Sequence, residues 1–180
     1  LFRSSAASDV YKRQLLELPR LFSEILSQNE NIKKLCKKFI SSNSVLYLGR
    51  DILYPIALEG ALKLKEISYL HAEGYASGEL KHGPIALVDT SMPLVALNPW
   101  SKVFEKTLSN LEEVKARRGR IILLTDKIGR ELSKDLTKSI FQLPSCSDFL
   151  TPILYSLPLQ LIAYYTCLLY TSDAADERNS

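Results

Sequence analysis

The apolar positions of the chain follow a helical period in some segments and form short continuous runs in others. From Leu15 to Ser42 apolar residues recur every three or four positions, and the polar residues 27–29 divide this stretch into two predicted helices. Short apolar runs further along the chain predict buried strands. These runs are SVLYLGR (44–50), MPLVALNP (92–99), RIILLTD (120–126) and SIFQLP (139–144).

Helical segments are predicted between and after these strands. They cover 54–70, 102–118 and about 130–137, and a last helix is expected to start near Phe149. The stretch HAEGYASGELKHGP (71–84) is interpreted as a glycine-containing connection. Alternation of strands and helices predicts an α/β fold, a doubly wound parallel sheet of about four to five strands flanked by helices, Rossmann- or flavodoxin-like.

The segment from Phe149 to Tyr170 contains no charged residue, so a membrane span has to be weighed. Pro152, Pro158 and Gln160 interrupt its apolar character. We therefore favour a helix packed on the sheet over a membrane-spanning helix.

The two ends of the chain differ in composition from the part between them. Residues 1–14 and 167–180 resemble peptides that arise when sequencing-adapter DNA is translated in frame with a truncated gene, and we expect both to be non-native. The expected organisation is then a helical lead-in over 15–42 and a single domain over 43–166. A natural disordered terminus is the alternative for either end.

Composition and charge narrow the function classes only slightly. The formal net charge is +3, from 23 Lys and Arg against 20 Asp and Glu, and no basic block with interleaved aromatic residues indicates nucleic-acid binding. The chain has an odd number of cysteines, and they are far apart in the sequence: Cys36, Cys146 and Cys167. This pattern indicates reduced thiols of a cytoplasmic protein. With only His71 and His82, a histidine-rich metal site is not expected.

The predicted helix 54–70 carries the most informative group of charges. Glu59, Lys63 and Glu66 fall within an arc of roughly 60° on one face, at about 100° per residue. Apolar residues border this arc, which favours the floor of a cleft or interface over open water. The bordering residues are Ile56, Leu62, Ile67 and Tyr69. The alternative is a set of ion pairs that supports the helix, each contributing about 0.2–0.5 kcal/mol.

Two further residues are candidates because of their position. Arg50 directly follows the first predicted strand, where open α/β sheets bind ligands, but it could equally form a loop ion pair. His82 precedes Gly83-Pro84 at a turn, and its side chain suits proton transfer near neutral pH, although a hydrogen-bonded loop histidine is the more common case. His71 lies at the predicted C-terminal end of the helix, where the negative end of the helix dipole favours a histidine, so we do not assign it a catalytic role.

The run YPIALEGALKLKEISYLHAEGYASGELKHGPIALVD (54–89) closely resembles the isomerase part of the glutamine–fructose-6-phosphate aminotransferase family. The similarity extends to LYLGR (46–50), EEVKAR (112–117) and PLQLIAYY (158–165). The resemblance implies the second sugar isomerase (SIS) domain of that family. It also implies conversion of fructose 6-phosphate and glutamine-derived ammonia to glucosamine 6-phosphate, with no metal or organic cofactor.

The same resemblance implies roles for individual residues. Glu66 matches the proton-shuttling carboxylate, Lys63 the lysine beside it, and His82 the ring-opening histidine. Glu59 resembles a site-organising residue, and Glu59 and Arg50 are the expected substrate-binding residues. The resemblance implies a homodimer in which His82 acts in the site of the neighbouring subunit, with a sugar phosphate as substrate and no nucleic acid or membrane partner.

Several features depart from the family pattern. Asp51 stands where the family usually has glycine, so we expect the loop after the first strand to adopt a positive φ less readily. Tyr165 stands where related sequences often have histidine. The glutaminase domain, the first SIS domain and the C-terminal tail of the family are absent, so we expect little or no turnover by this chain alone. Alternatives are another SIS-domain deglycase or isomerase, or a non-catalytic sugar-phosphate sensor.

Overall fold

A five-stranded parallel β-sheet forms the centre of the computed structural model, which describes residues 2–40 and 42–176. The spatial order of the strands is β2-β1-β3-β4-β5, and every neighbouring pair is parallel. The strands are β1 (Ser44–Gly49), β2 (His71–Ala76), β3 (Pro93–Leu97), β4 (Arg120–Thr125) and β5 (Ile140–Gln142). The predicted α/β class and parallel sheet are confirmed.

The helices cover both faces of the sheet. They are α1 (Phe2–Leu26), α2 (Asn29–Cys36), α3 (Tyr54–Ser68), α4 (Phe104–Ala116), α5 (Lys127–Leu132) and α6 (Thr151–Asp176). Alternate strand residues point to opposite faces. Val45, Tyr47 and Val95 pack with α1, α2, α3 and α6, whereas Leu46 and Leu48 pack with α4 and the 77–88 segment. The core therefore has two layers, separated by the sheet.

Strand β2 is the element that the sequence pattern missed. Its residues, HAEGYA, show little apolar alternation, and its stability comes from pairing along its whole length with β1, from Ser44↔His71 to Gly49↔Ala76. Helix α3 ends at Ser68, and Tyr69 has a left-handed conformation with φ of 58°. His71 therefore opens a strand instead of ending a helix, and its Nε2 lies 3.6 Å from Oε1 of Glu73. The helix-dipole explanation for His71 is wrong.

Helix α6 is long and apolar enough, over Thr151–Thr171, to pass a length and composition test for a membrane span. Its buried residues pack instead into the layer that contains α3, with Leu154, Leu159 and Ile162 each at most 1% exposed. Gly60 of α3 permits this close approach, because a Cβ at that position would lie 2.7 Å from a methyl group of Leu159. The predicted packing of this segment on the sheet is confirmed.

The segments predicted to be non-native lie largely within the two long helices. Helix α1 continues through residue 14 without a break, and α6 continues through residue 167. The predicted interruption at residues 27–29 is confirmed, because α1 ends at Leu26 and α2 begins at Asn29. Residues 1 and 177–180 lie outside the described part of the chain. The non-native origin of both ends remains a prediction from composition.

Candidate functional site

A cleft of about 260 Å³ opens at the carboxyl ends of β1, β3, β4 and β5. Strand β2 lies on one side of β1, whereas β3, β4 and β5 follow one another on its other side. The strand order therefore reverses between β1 and β3, and open α/β sheets bind ligands at such a switch point. The cleft is lined by residues that follow each strand, among them Arg50, Asn98, Asp126 and Ser145. Topology alone makes this the expected ligand crevice.

Arg50 lies at one end of this cleft. Its guanidinium packs against the backbone of the segment after β2, since a Cβ on Gly78 would lie 2.9 Å from a terminal nitrogen of Arg50. Its Nε is buried and has no hydrogen-bond partner among the described residues. Asp51 has φ of 55°, so the loop does adopt the left-handed conformation that we expected an aspartate to disfavour. Aspartate tolerates this region better than most residues.

The other end of the cleft contains Asp126, Cys146 and Tyr155. The Oδ1 atom of Asp126 accepts hydrogen bonds from the backbone N–H groups of Trp100, at 3.2 Å, and Gly129, at 2.9 Å. Burial raises the pKa of Tyr155 well above its usual value, and the nearby Asp126 and Cys146 raise it further. The Tyr155 hydroxyl therefore remains protonated, and it has no hydrogen-bond partner among the described residues.

Helix α3 places the predicted group of charges on its outer surface. Lys63 Nζ lies 2.9 Å from Oε2 of Glu66 and 3.7 Å from Oε1 of Glu59. The hydrogen bond and charge of Glu66 raise the pKa of Lys63, so the ammonium is retained at neutral pH. These side chains are 36–47% exposed, and Leu62 and Ile67 beside them are also exposed. The charges do not line the carboxyl-edge cleft.

His82 ends the 3₁₀ segment Ser77–His82 that follows β2. Its Nδ1 lies 2.9 Å from Oε2 of Glu79, and both side chains are exposed. Lys81 forms an ion pair with Glu113 of α4, which fixes this segment against the helix. Leu80 is fully buried in the core layer of α4, on the face of the sheet opposite α3.

The structure therefore brings only some of the predicted site residues together. Glu59, Lys63 and Glu66 form one contiguous group, whereas Arg50 lines the carboxyl-edge cleft. His82 does not line that cleft and ends the 3₁₀ segment that follows β2. Since α3 returns the chain from the carboxyl to the amino edge, Glu66 lies about 18 Å further along the helix axis than Tyr54. Tyr155 and Asp126 were not singled out from the sequence, because an aromatic residue in an apolar helix and an aspartate after a strand carry no specific signal.

Tyr165, the second departure from the family pattern, lies on α6 beside α2. The Lys33 ammonium lies 5.3 Å from the centre of its ring, in a cation–π arrangement. Among residues 2–40 and 42–176 no group of three or more His, Cys, Asp and Glu side chains is arranged to hold a metal ion.

Comparison with known proteins supplies independent information. The chain is 52% identical over 176 residues to a glutamine–fructose-6-phosphate aminotransferase (isomerizing) of Bartonella quintana (strain Toulouse), covering 98% of this chain and 29% of that protein. The chain thus spans less than a third of that relative. The C-terminal domain of glucosamine-fructose-6-phosphate aminotransferase from Francisella tularensis matches with a TM-score of 0.82 and 42% identity, over 89% of this chain and 45% of that one.

A more distant structure shares the fold alone. Glucosamine-6-phosphate deaminase from Thermotoga maritima matches with a TM-score of 0.60 at 22% identity, over 82% of this chain and 44% of that one. The SIS domain family matches residues 38–170, which include all five strands and the helices between them. The chain therefore belongs to the SIS domain family.

Proposed function

We propose that this chain is part of the isomerase portion of an enzyme that converts fructose 6-phosphate and ammonia to glucosamine 6-phosphate. The support is the 52% identity to an aminotransferase of this name, together with the arrangement of Glu59, Lys63 and Glu66 on α3. The single observation that carries the mechanism is the Lys63 ammonium held between two carboxylates. The relative is more than three times longer, so the complete activity belongs to the longer protein.

The reaction requires a base that faces the reacting carbons and a cation that stabilises charge on oxygen. After ammonia forms an imine at C2 of the open-chain sugar, a proton must leave C1 and a proton must be delivered to C2. Glu66 is the proposed carrier of this proton. Lys63 stays protonated, since hydrogen bonding to Glu66 raises its pKa, so it is suited to stabilising negative charge on a substrate oxygen and not to acting as the base.

Glu59 has a positioning role in this proposal. Its carboxylate lies 3.7 Å from Lys63 Nζ, on the side of the ammonium away from Glu66 along the helix. Two carboxylates at i−4 and i+3 restrict the position of the ammonium above the helix surface. Arg50 is the second proposed substrate-binding residue, because its guanidinium is suited to binding an anionic group.

His82 is proposed to open the sugar ring in the site of a second subunit. Two observations support this assignment. The 77–82 segment packs on the face of the sheet opposite α3, so His82 and Glu66 of one chain are separated by the sheet. Helix α3 and the residue after it also leave large apolar side chains exposed beside the charges, as expected of a surface that a partner covers. These are Leu58, Leu62, Ile67 and Tyr69. A homodimer of a cytoplasmic enzyme is the assembly that we propose.

Isotope exchange in the longer enzyme tests this proposal. In a protein in which this chain is joined to the absent domains, Glu66→Gln should abolish exchange of the C1 hydrogen of fructose 6-phosphate with solvent. Lys65→Gln, which changes an exposed residue of the same helix outside the charged group, should retain it. Undiminished exchange in Glu66→Gln would refute the role of Glu66. A sugar-phosphate sensor would bind the ligand without exchange in any variant.

The 180-residue chain on its own is proposed to be inactive, because it spans 29% of the aminotransferase from Bartonella quintana and the complete activity is proposed for the longer protein. Synthesis of glucosamine 6-phosphate from fructose 6-phosphate and ammonia by the purified 180-residue chain would contradict this. The assay needs only the free chain and a colorimetric measurement of the amino sugar.

A further inference from the structure

The outer edge of the sheet, at β5, borders an open groove of about 520 Å³. Strand β5 pairs with β4 on one side, and within the described part of the chain no strand pairs with its other side. The carbonyl of Ser139 and the N–H of Leu143 bond to β4, so residues 139, 141 and 143 face that strand. The backbone groups of Ile140 and Gln142, which alternate with them, therefore point outward beside the groove.

Side chains from both faces of the sheet form the walls of this edge groove. Helix α2 supplies Lys34, and its buried Ile32 packs in the core layer that contains α3 and α6. Arg130 and Lys134 come from α5 and the turn after it, and Leu136 of that turn packs in the opposite layer, with α4. Positive side chains therefore flank the free edge of β5 from both faces.

The cations of the edge groove have no counter-ions within the chain. Lys34, Arg130, Lys134 and Lys138 line the groove, and none of them forms an ion pair among residues 2–40 and 42–176. Glu131 also lines the groove and is exposed, and it pairs with none of them. Lysines of α2, α3 and the 77–82 segment, in contrast, pair with glutamates. The edge groove is therefore a positive surface that lacks an internal partner.

One outward position of the edge is already occupied. Gln28 Nε2 donates to the carbonyl of Gln142 at 3.2 Å, and the Arg130 guanidinium donates to Oε1 of the same residue at 3.0 Å. The two outward N–H groups, of Ile140 and Gln142, and the carbonyl of Ile140 remain for a further strand. An added strand alternates its side chains between the two faces, so acidic residues on both faces of it would meet Lys34 and Lys134.

We propose that the edge groove binds an extended acidic segment of a partner protein, which adds to the sheet as a strand beside β5. Main-chain hydrogen bonds to Ile140 and Gln142 supply affinity, and the flanking cations select carboxylates. A single-stranded nucleic acid fits less well, because it needs an exposed aromatic surface for its bases and the lining Phe141 is only 2% exposed. The inference does not depend on the proposed function, since no residue of the edge groove lies on α3 or in the carboxyl-edge cleft.

Fluorescence anisotropy with the complete chain tests this inference. A fluorescein-labelled peptide Glu-Val-Glu-Asp-Val-Glu, which places acids on both faces of a strand, should bind at submillimolar concentration, and Lys-Val-Lys-Lys-Val-Lys should not. Lys34→Gln and Lys134→Gln should each weaken binding of the acidic peptide by about twofold to fivefold. Lys106→Gln is the matched control, because Lys106 is an exposed lysine of α4 outside the groove, and it should leave binding unchanged.

Amide hydrogen exchange measured by NMR separates strand addition from simple charge attraction. Saturating acidic peptide should slow exchange at Ile140 and Gln142 but not at Phe141, whose N–H already faces β4. Binding without this alternating protection would overturn the inference, as would equal or tighter binding of a labelled uridine hexanucleotide. No binding of the acidic peptide at millimolar concentration would also overturn it, and the lysines would then serve only to keep the free edge from aggregating.

Discussion

Glu66 and His82 lie on opposite faces of the β-sheet. Glu66 belongs to α3, whose buried residues pack with Val45 and Tyr47, whereas His82 ends the segment whose Leu80 packs with Leu46 and Leu48. A strand points successive side chains to opposite faces, so these layers are separated by the thickness of the sheet. The two side chains are thus carried by segments that are anchored in different layers of the core.

This separation predicts complementation between inactive subunits of the longer enzyme. Glu66→Gln and His82→Asn should each be inactive as homodimers, whereas subunit exchange between them should restore about a quarter of wild-type activity, because half of the randomly formed dimers are mixed and each mixed dimer has one intact site. The measurement is synthesis of glucosamine 6-phosphate before and after mixing. No recovery after demonstrated exchange would show that both residues act within one chain.

Because Asp51 has a left-handed backbone conformation, we expect its substitution by glycine to stabilise the folded chain. With φ of 55°, Asp51→Gly should raise the free energy of unfolding by about 0.5–1 kcal/mol, because glycine has no Cβ to disfavour this region. Asp51→Val should lower it. Urea unfolding measures both, and Asp135→Gly, at an exposed position without a positive φ, is the control that should not gain stability.

Replacing Gly49, at the end of β1, by a residue with a Cβ should cause a severe steric clash. A Cβ at this position would lie 2.1 Å from the carbonyl oxygen of Leu53, a backbone atom of the turn that leads into α3. Gly49→Ala should therefore lower the free energy of unfolding by at least about 3 kcal/mol. Gly60→Ala is the comparison and should cost less, since the nearest atom that it meets is the flexible end of Leu159, with the ring of Tyr47 next at 3.1 Å. Alanine also favours the helix by about 1 kcal/mol. Comparable losses in the two variants would contradict the steric explanation.

Asp89 predicts a pH-dependent contribution to stability. Hydrogen bonds from the Ser91 hydroxyl and from the backbone N–H groups of Ser91 and Met92 lower its pKa below the usual 3.8. A lowered pKa in the folded state means stability that is present at neutral pH and is lost as the pH falls through the folded-state value. Asp89→Ala should lower the melting temperature at about pH 7, with a smaller difference near pH 2.5. An equal difference at both pH values would contradict this account.

The cysteines should differ in their reactivity. Cys36 is fully buried, and burial raises its pKa to about 12, so its thiolate is scarce and inaccessible in the folded chain. Iodoacetamide should modify the partly exposed Cys167 of the native protein and leave Cys36 unmodified, as measured by mass spectrometry of peptides. In denaturant all three should react. Rapid native modification of Cys36 would contradict the packing of α2 against α6.

The hydrophobic pattern of the sequence was sufficient for most of the elements. Buried parallel strands are continuous apolar runs, and β1, β3, β4 and β5 all contain one. Strand β2 lies at the edge of the sheet and carries His71, Glu73 and Gly74, so only its pairing with β1 identifies it. The positive φ of Asp51 was likewise not predicted, because the turn between β1 and α3 imposes it.

The sequence by itself determined the α/β class, the shared face of Glu59, Lys63 and Glu66, and the resemblance to a sugar isomerase domain. These follow from local periods and from a continuous motif, which need no knowledge of distant contacts. Only the tertiary structure decided that Arg50 and Tyr155 meet in one cleft and that His82 lies across the sheet from Glu66. Such relationships depend on strand order and crossover, which bring together or separate residues irrespective of their spacing along the chain.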